Sequence, residues 1–287
     1  MVKYNTKTIT PCPVCLEKIH LKSFSWSNHD IISCQNCSLD YCAEIIFKEK
    51  GADSSSTPKE NLLMLIDTFE ASQKVANKHS SARINSYKKL KGSSINDVLE
   101  IGCGPGIYYA PFTNEKISWT GLEVNPLWIK WSADHNIPIK NKLISDYKEC
   151  FDLIFACQVL EHLVKPRRFM ADILGALRPD GLLHFEVPNH NSFVSSLRKI
   201  SPLFSKGFGC IQPPQHMRAY SARTLHHLFK NFDMKLKLLC VYPNDHKVWG
   251  QAREKQPLIH RTAFRISEFL GKGSLLVGIA QKNEICQ

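Results

Sequence analysis

Long apolar runs are missing from this 287-residue chain. No stretch approaches the roughly 20 consecutive apolar residues of a membrane-spanning helix, so no transmembrane segment is predicted. The N-terminal stretch MVKYNTKTITPCP lacks the apolar core of a signal peptide, and we therefore expect a cytoplasmic protein. Internal repeats are also missing. Hydrophobic residues make up 43% of the chain and charged residues 22%, which is ordinary for a globular protein with a sizeable core.

The missing secretion signal decides how the eleven cysteines are interpreted. Scattered through a long chain, they favour reduced thiols and a metal site over a disulfide framework. Two C-x2-C pairs are separated by eighteen residues: Cys12, Cys15, Cys34 and Cys37. This spacing is typical of a zinc ribbon, and four thiolates leave no open coordination position, so the zinc would be structural. The alternative is four unrelated thiols. Cys42 is expected to be a spare cysteine, not a ligand.

The net charge of +11 is concentrated late in the chain. Residues 1–56 hold six Lys/Arg and six Asp/Glu, whereas residues 198–272 hold fourteen and four. A neutral ribbon is a poor anchor for phosphate, so we expect it to cover the substrate side of a catalytic domain and not to bind nucleic acid. The basic segment is interpreted either as a solvated face or as the mouth of a site for an anionic substrate.

A glycine-rich turn follows an apolar run, although the G-x-G-x-x-G fingerprint of dinucleotide-binding turns is absent. Val98–Ile101 is predicted to be a buried strand. Glycines then occupy every second position: Gly102, Gly104 and Gly106. Such a turn lets a ligand lie directly on the backbone, and a helix beginning near Ile107 would point N–H groups at it. Glu100, just before the turn, is placed to contact a cationic or hydroxylated ligand.

Strand and helix patterns alternate through the rest of the chain. Strands are predicted near residues 97–101, 118–123, 141–144, 152–156, 182–187, 234–242 and 274–281. Helices are predicted from Thr57, and near residues 81–90, 107–112, 126–135, 166–177 and 221–230. This alternation favours a parallel sheet with helices on both faces and ligands at the carboxyl ends of the strands.

Four ordered motifs between Val98 and Gln281 resemble those of the class I S-adenosylmethionine-dependent methyltransferases. They are VLEIGCGPG, GLEVNP, FDLIFACQVLEHL and LRPDGLLHFEVPN. The resemblance implies an α/β fold with a Rossmann-like, doubly wound, seven-stranded sheet, and S-adenosylmethionine as cofactor. The predicted domains are a zinc-ribbon module (1–50), a linker and helical lid (51–96) and the methyltransferase domain (97–287).

The resemblance also places the cofactor. Its methionine part is expected against Glu100, Gly102, Cys103, Gly104, Gly106, Cys157, Gln158 and Val159. Two alternatives stay open here: Glu100 bonds local backbone N–H groups, and the two cysteines, which have no paired base, serve only in packing. Helices before the first strand commonly cover the cofactor in this family, so Arg83 and Tyr87 either line its pocket or are ordinary surface positions.

The adenosine part of the cofactor is expected at the tips of the next two strands. Glu123 follows Gly102 by 21 positions, where its carboxylate can accept both ribose hydroxyls. Val124 is expected to pack on the adenine, Asp146 to accept its exocyclic amine, and Tyr147 to lie beside the ring. Alternatively, Asp146 is only a helix cap.

The acceptor side is predicted from the stretch QPPQHMRAYSARTL, which begins at Gln212. It resembles a PP-x-H insert in a branch of these enzymes that often carries zinc ribbons and acts on sugars, glycolipids or secondary-metabolite precursors. His216 is predicted to be the general base. Glu161 and His162 either assist it or form a structural wall. Two insertions, near residues 190–220 and 243–272, carry no known motif; Trp249, Arg253, Arg261 and Arg265 are candidates to meet a substrate or partner.

These observations predict a methyltransferase acting on oxygen or carbon of a small, anionic acceptor, such as a nucleotide-linked or lipid-linked sugar. The N/D-P-P-Y block of many amino-group methyltransferases is absent, which favours this choice. Two alternatives are an RNA methyltransferase that uses Phe24 and Trp26 of the ribbon, and a non-catalytic partner-binding protein. Neither the acceptor nor the oligomeric state can be read from the sequence.

Overall fold

A computed structural model of the chain describes residues 11–19, 21–27, 29–43, 67, 69–200, 207–232, 234–242, 262, 265–266 and 269–283. Its strands are β1 (Leu21–Trp26), β2 (His29–Cys34), β3 (Asp40–Cys42), β4 (Asp97–Ile101), β5 (Ser118–Leu122), β6 (Ile139–Lys140), β7 (Phe151–Cys157), β8 (Leu177–Pro188), β9 (Arg218–Ala219), β10 (Met234–Tyr242) and β11 (Leu275–Lys282). Its α-helices are α1 (Phe69–Lys78), α2 (Ser80–Lys91), α3 (Tyr109–Thr113), α4 (Pro126–Asp134), α5 (Pro166–Ala176), α6 (Phe193–Arg198) and α7 (Ala222–Lys230). Short 3-10 helices lie at Ile144–Asp146 and Leu160–His162.

The larger sheet has seven strands in the order β10-β11-β8-β7-β4-β5-β6. The strands from β8 to β6 pair in parallel, whereas β11 is antiparallel to both β8 and β10. The chain proceeds from β4 toward β6 and then returns to β7 on the other side of β4. This reversal places the switch point, where ligands bind in such sheets, at the carboxyl end of β4. The predicted fold class is confirmed.

Apolar side chains cover both faces of this sheet. One cluster joins the β7–β8 region to α5 and α7, including Ile154, Met170 and Phe229. A second cluster joins the opposite face to α2 and the segment around α3, including Tyr87, Phe112 and Phe155. These two layers hold the strand ends, and therefore the site, in fixed positions.

Two sequence predictions differ from the structure. The strand predicted at 141–144 lies instead at Ile139–Lys140, where only two residues pair with β5, and a 3-10 helix follows. Its two residues pair with Gly121 and Leu122, the last two residues of β5. The helix predicted from 107 begins at Tyr109, because the glycine turn continues through residues 104–108.

A smaller antiparallel sheet has the order β1-β2-β3-β9. β1 and β2 form an antiparallel hairpin that connects the two cysteine pairs of the ribbon. Its fourth strand, β9, comes from the insert after β8 and pairs Asp40 with Ala219 and Tyr41 with Arg218. The ribbon and the insert therefore share one sheet.

Several predictions lie outside the described residues. They are the linker at 51–58, the helix start at Thr57, and Trp249, Arg253 and Arg261 in the second insertion. Arg265 is described and is exposed to solvent. The domain boundaries stay predictions. Within the described ranges, no helix is both long and apolar enough to cross a bilayer.

Candidate active site

Three glycines turn the chain after β4, and all adopt left-handed φ angles: Gly102 (+65°), Gly104 (+51°) and Gly106 (+77°). A Cβ at Gly106 would lie 2.7 Å from Ile137 Cγ2, so this glycine is required by packing. A Cβ at Gly104 would meet nothing nearer than Trp128 Nε1 at 4.0 Å. Gly104 therefore borders open space at the switch point, as a turn that carries a ligand on its backbone requires.

Glu123 ties the tip of β5 to this turn. Its Oε2 accepts a hydrogen bond from Gly104 N at 2.9 Å, and its Oε1 accepts from Val124 N at 2.7 Å and from Asn125 N at 2.8 Å. Oε1 thus uses both of its lone pairs, whereas Oε2 keeps a further lone pair for a hydroxyl donor. Val124 beside it is 55% exposed, which is high for an apolar side chain in a structured tip. The predicted ribose and adenine roles of these two residues stay predictions.

Glu100 lies beneath the turn and is buried. Its Oε2 accepts a hydrogen bond from Trp119 Nε1 at 3.0 Å. Burial, opposed by that hydrogen bond and reinforced by the charge of Glu123, raises the pKa of Glu100 to about 8. The carboxyl group therefore bonds a side chain of β5, and not the local backbone N–H groups that the sequence offered as an alternative. Cys103, next in the turn, is buried and packs in the core.

Asp146 and Tyr147 follow β6 on the same edge. Asp146 is exposed, and its Oδ2 accepts from Leu143 N at 3.3 Å, so it does serve as a local cap of the 3-10 helix. Leu143 is 67% exposed and adds a second apolar surface near the predicted adenine position. The Tyr147 ring packs against Phe151, with ring centroids 5.2 Å apart. A role for Asp146 or Tyr147 toward adenine stays a prediction.

Three residues after β7 complete the predicted methionine end. Cys157 is half-buried, and burial raises the pKa of its thiol well above the usual range, so it is not an activated nucleophile. Gln158 adopts a φ of +55°, and its buried Nε2 has no hydrogen-bond partner among the described residues. Val159 packs under the turn, since a Cβ at Gly102 would lie 3.1 Å from its Cγ2.

A buried polar row beside Cys157 was not predicted from the sequence. The Tyr87 hydroxyl lies 3.2 Å from His184 Nδ1, and His184 Nε2 lies 3.1 Å from Glu186 Oε1. Arg83 Nη1 donates to the Tyr108 hydroxyl at 3.3 Å. Against the effect of burial, the hydrogen bond from His184 and the charges of His184 and Arg83 hold the pKa of Glu186 below its usual range.

Two members of this row, Arg83 and Tyr87, belong to the predicted helical lid. Tyr87 is 2% exposed and Arg83 is half-buried, so the interpretation of both as ordinary surface positions is wrong. The sequence carried one signal for the row: His184 and Glu186 occupy alternate positions of a strand that is otherwise apolar, and therefore share one face.

The three residues predicted for catalysis lie together on the acceptor side. Glu161 is 1% exposed, and neither of its carboxylate oxygens has a hydrogen-bond partner among the described residues. His162 Nε2 lies 4.0 Å from Glu161 Oε1, and the rings of His162 and His216 are 4.9 Å apart. Met217 N donates to the Glu161 carbonyl at 3.0 Å, which fastens the insert to the loop after β7.

The pKa values within this trio differ from the predicted roles. Burial, together with the charge of His162, lowers the pKa of His216 to about 4. Burial raises the pKa of Glu161 to about 8. At neutral pH His216 is therefore a weak base, whereas Glu161 is the stronger base of the two but holds its proton in most molecules. The predicted role of His216 as general base stays a prediction.

The four ribbon cysteines fit a metal ion. The sulfur atoms of Cys12 and Cys37 are 3.6 Å apart, those of Cys15 and Cys34 are 3.5 Å apart, and all four lie within 4.8 Å of one another. Zinc–sulfur bonds of about 2.3 Å in a tetrahedron require sulfur atoms about 3.8 Å apart, which is close to this spacing. Cys42 lies outside the group, as predicted, and pairs with Ile31 in the sheet.

Part of the basic segment lies inside the protein. Arg218 is 1% exposed; its guanidinium donates to the carbonyls of Leu163 and Val164 and lies 5.8 Å from the centre of the Tyr41 ring. Burial lowers the pKa of Lys199, opposed by the charge of Asp40. Arg218 therefore belongs neither to a solvated face nor to an open substrate mouth, whereas Lys199 is half-buried.

Comparison with known proteins agrees with this geometry. A family model described as a methyltransferase domain matches residues 59–238, more than half of the chain. The chain therefore belongs to this methyltransferase family. The predicted enzyme class, a methyltransferase dependent on S-adenosylmethionine, is confirmed at that level.

Individual relatives match less of the chain. The ubiquinone biosynthesis O-methyltransferase of Maricaulis maris is 26% identical over 105 residues, which cover 33% of this chain and 41% of the relative. The mitochondrial protein of the same name from Schizosaccharomyces pombe is 28% identical over 97 residues, 30% of this chain and 35% of the relative. The chain thus spans about two fifths of the length of the curated relatives that it matches.

Among solved structures, the plantazolicin methyltransferase BpumL in complex with SAH superposes with a TM-score of 0.53 at 16% identity. The superposition covers 84% of this chain and 97% of that one. At this identity the likeness establishes the fold alone.

Proposed function

We propose that this chain transfers the methyl group of S-adenosylmethionine to oxygen or carbon of a small, anionic acceptor, such as a nucleotide-linked or lipid-linked sugar or a secondary metabolite. A hydroxyl oxygen is the favoured acceptor atom. The observation that carries the proposal is the placement of a buried, unpartnered Glu161 two residues after Val159, which packs under the glycine turn. A hydroxyl must lose a proton during methylation, and the ionised form of Glu161, a minor fraction at neutral pH, can accept it.

Three features of the switch point fit the cofactor. Gly104 leaves open space beside the backbone. Val124 and Leu143 present exposed apolar side chains. The side-chain amide of Gln158, directly after β7, is buried and has no hydrogen-bond partner among the described residues. S-adenosylmethionine supplies a methyl group on a sulfonium, which is already a good leaving group. The protein then has to align the acceptor, exclude water and receive a proton. The names of the curated relatives, which are O-methyltransferases, support oxygen as the acceptor.

The ribbon has a structural role in this proposal. Its four cysteines hold zinc with no open coordination position, so the metal supports the fold and takes no part in methyl transfer. β3 of the ribbon pairs with β9, which directly follows His216 and Met217. The zinc therefore supports the acceptor side, through the sheet that the ribbon shares with the insert.

Calorimetric titration with S-adenosylhomocysteine tests the cofactor site. The purified, zinc-loaded protein is expected to bind it with micromolar affinity. Glu123→Ala is expected to weaken binding at least tenfold, since the variant loses the ribose contact and the bond that holds Gly104. Asp134→Ala, which removes an exposed acid at the end of α4, is the matched control. Failure of the folded wild-type protein to bind would contradict the proposal.

The acceptor class is tested by measuring S-adenosylhomocysteine release with two panels of compounds. Nucleotide-linked sugars and small phenols form the first panel, and short RNAs form the second. Turnover with the first panel is expected. The structure gives RNA little support, because Phe24 and Trp26 pack edge-on against Phe208, with ring centroids 4.9 and 5.0 Å away. Turnover with RNA alone would overturn the choice of a small acceptor.

A further inference from the structure

Glu161 is buried without any group that compensates its lone pairs. Its side chain is 1% exposed, and among the described residues neither oxygen accepts a hydrogen bond. Burying a carboxylate in this way is costly unless a proton or a cation lies beside it. The side chain therefore either holds a proton or has a cation bound beside it.

The two histidines present lone pairs to the same place. His162 Nδ1 donates to the Gln215 carbonyl at 2.9 Å, so its Nε2, 4.0 Å from Glu161 Oε1, carries a lone pair. His216 bonds the backbone of Cys210 and likewise keeps one nitrogen free of that bond. An imidazole that donates one N–H to a carbonyl and offers its other nitrogen is typical of metal-binding histidines.

We propose that Glu161, His162 and His216 bind a divalent first-row transition-metal ion. One ligand atom from each residue lies within 4.8 Å of the other two. Bonds of about 2.1 Å place ligand atoms about 3 Å apart, so side-chain rotations that draw these atoms together by about one to two ångströms complete the site. Two nitrogens and one oxygen suit ions such as Zn²⁺, Fe²⁺ or Co²⁺, and differ from the four sulfurs of the ribbon.

Three protein ligands leave coordination positions open, in contrast to the closed ribbon site. If the proposed function is correct, the acceptor hydroxyl occupies one of them. Its O–H proton then passes to water, its oxygen forms a bond to the methyl carbon, and the carbon–sulfur bond breaks with its electron pair remaining on sulfur. The products are the methyl ether, S-adenosylhomocysteine and one proton. The step requires no oxidant or reductant.

The charges around the trio identify Glu161 as the ligand that contributes most to binding a cation. The positive charge of Arg198 acts on His216 and opposes a bound cation. Glu161 is the acidic member of the trio; as a ligand it binds in its ionised form and has to outweigh that repulsion. Glu161→Gln keeps the shape of the side chain and removes its charge, which makes it the sharpest test of the site.

The experiment adds Co²⁺ to the full-length protein whose ribbon is already loaded with zinc, and follows the visible absorption bands. One equivalent of Co²⁺ is expected to bind in a nitrogen and oxygen environment, without the intense thiolate-to-cobalt absorption of a cysteine site. Glu161→Gln and His162→Ala are expected to lose this equivalent. His226→Ala, which removes an exposed histidine of α7, is the matched control and is expected to retain it.

Circular dichroism and S-adenosylhomocysteine titration accompany each variant, so that loss of the metal is distinguished from loss of the fold. A wild-type protein that binds no Co²⁺ beyond the ribbon overturns the metal site, and so does Glu161→Gln that binds it as tightly as the wild type. If methyl transfer nevertheless proceeds, the proposed function stands, with Glu161 as a base alone. If Co²⁺ binds and S-adenosylhomocysteine does not, the proposed function fails while the metal site stands.

Discussion

At the scale of single residues, Glu100 makes stability depend on pH. Its pKa is about 8 in the folded protein, against an ordinary value of 4.5. The folded state therefore binds more protons than the unfolded state between these values, and stability is lost as the pH rises from 4.5 through 8. Glu100→Gln keeps an oxygen that can accept the Trp119 hydrogen bond and removes the titration. Relative to wild type, the variant is expected to gain about 1 kcal/mol of unfolding free energy per pH unit.

Urea unfolding at pH 5, 6, 7 and 8 measures this difference. Asp134→Asn is the control, because it removes an exposed acid without touching the buried site. Parallel curves for wild type and Glu100→Gln across this range would show that Glu100 is ionised normally in the folded protein.

Two glycines of the turn are expected to respond differently to the same substitution. Gly104→Ala costs about 1 kcal/mol, because alanine is strained at a φ of +51°, while the new methyl group enters open space. Gly106→Ala carries the same strain and also brings its Cβ within 2.7 Å of Ile137. Thermal unfolding should therefore show the larger loss for Gly106→Ala.

Binding is the second readout for this pair. Gly104→Ala is expected to weaken S-adenosylhomocysteine binding at least tenfold while remaining folded, since its methyl group occupies the space assigned to the ligand. Full binding by this variant would mean that the cofactor does not lie on Gly104.

At the scale of elements, one buried pair is among the contacts that hold the ribbon to the catalytic domain. His190, after β8, places Nε2 2.6 Å from Asp40 Oδ2 on β3, and its Nδ1 accepts from Cys210 N at 3.5 Å. Burial lowers the pKa of His190, although Asp40 opposes the shift. Burial alone would raise the pKa of Asp40, but hydrogen bonds from His190 and Ser33 hold it below its usual value.

The lowered pKa values of His190 and Asp40 both make the folded protein less stable as the pH falls. A histidine with a folded pKa below 6.5 is protonated more readily in the unfolded chain, so its contribution is complete above about pH 6.5 and is lost as the pH falls through the folded value. His190→Gln is expected to reduce the decline in unfolding free energy between pH 7 and pH 5. It is also expected to cost about 2 kcal/mol at pH 7, because Asp40 loses its partner in a buried site. Equal slopes for variant and wild type would exclude His190 as the titrating group.

The sequence predicts local features well and non-local contacts poorly. Asp97–Ile101 has its predicted bounds, because an apolar run that ends in glycines specifies a buried strand without help from the rest of the fold. The two-residue β6 was misplaced, since an edge strand is defined by its neighbour. The contact of Tyr87 with His184 and the pair formed by Asp40 and His190 were missed because the partners lie 97 and 150 positions apart in the chain.

The candidate site also combines local features that the sequence predicts with a non-local contact that it does not. The glycine turn and Glu123 are specified by motifs within a few residues of one another. Glu161, His162 and His216 were each named as candidates, but their meeting depends on an insert that folds back over the loop after β7. Spacing along the chain carries no information about such a contact. The pKa values, which favour Glu161 over His216 as a proton acceptor, depend on burial and so required the structure.

At the scale of the whole molecule, the ribbon, the insert and the catalytic sheet form a continuous chain of contacts. Arg167 Nη1 donates to the Val14 carbonyl at 3.2 Å, and Thr224 Oγ1 donates to the Cys37 carbonyl at 3.0 Å. Cys42 N donates to the Met217 carbonyl at 2.9 Å, next to His216. The acceptor side therefore depends on the ribbon, whereas the glycine turn and the tip of β5 belong to the catalytic sheet.

Loss of the proposed ribbon zinc should therefore affect methyl transfer much more than cofactor binding. Structural zinc contributes on the order of 10 kcal/mol to the folding of zinc-finger peptides, so Cys15→Ser is expected to unfold the ribbon. Without β3, the strand β9 loses its partner and His216 loses its position. Methyl transfer is then expected to fall at least tenfold, while S-adenosylhomocysteine binding changes by less than about threefold, because the glycine turn and Glu123 belong to the catalytic sheet. Zinc content, S-adenosylhomocysteine binding by calorimetry and turnover are measured on the same samples.

Cys150→Ser, which alters a half-buried thiol outside the ribbon, is the control and should keep all three properties. Parallel loss of cofactor binding and turnover would instead mean that the ribbon supports the whole domain, and full turnover without zinc would mean that the acceptor site does not depend on the ribbon.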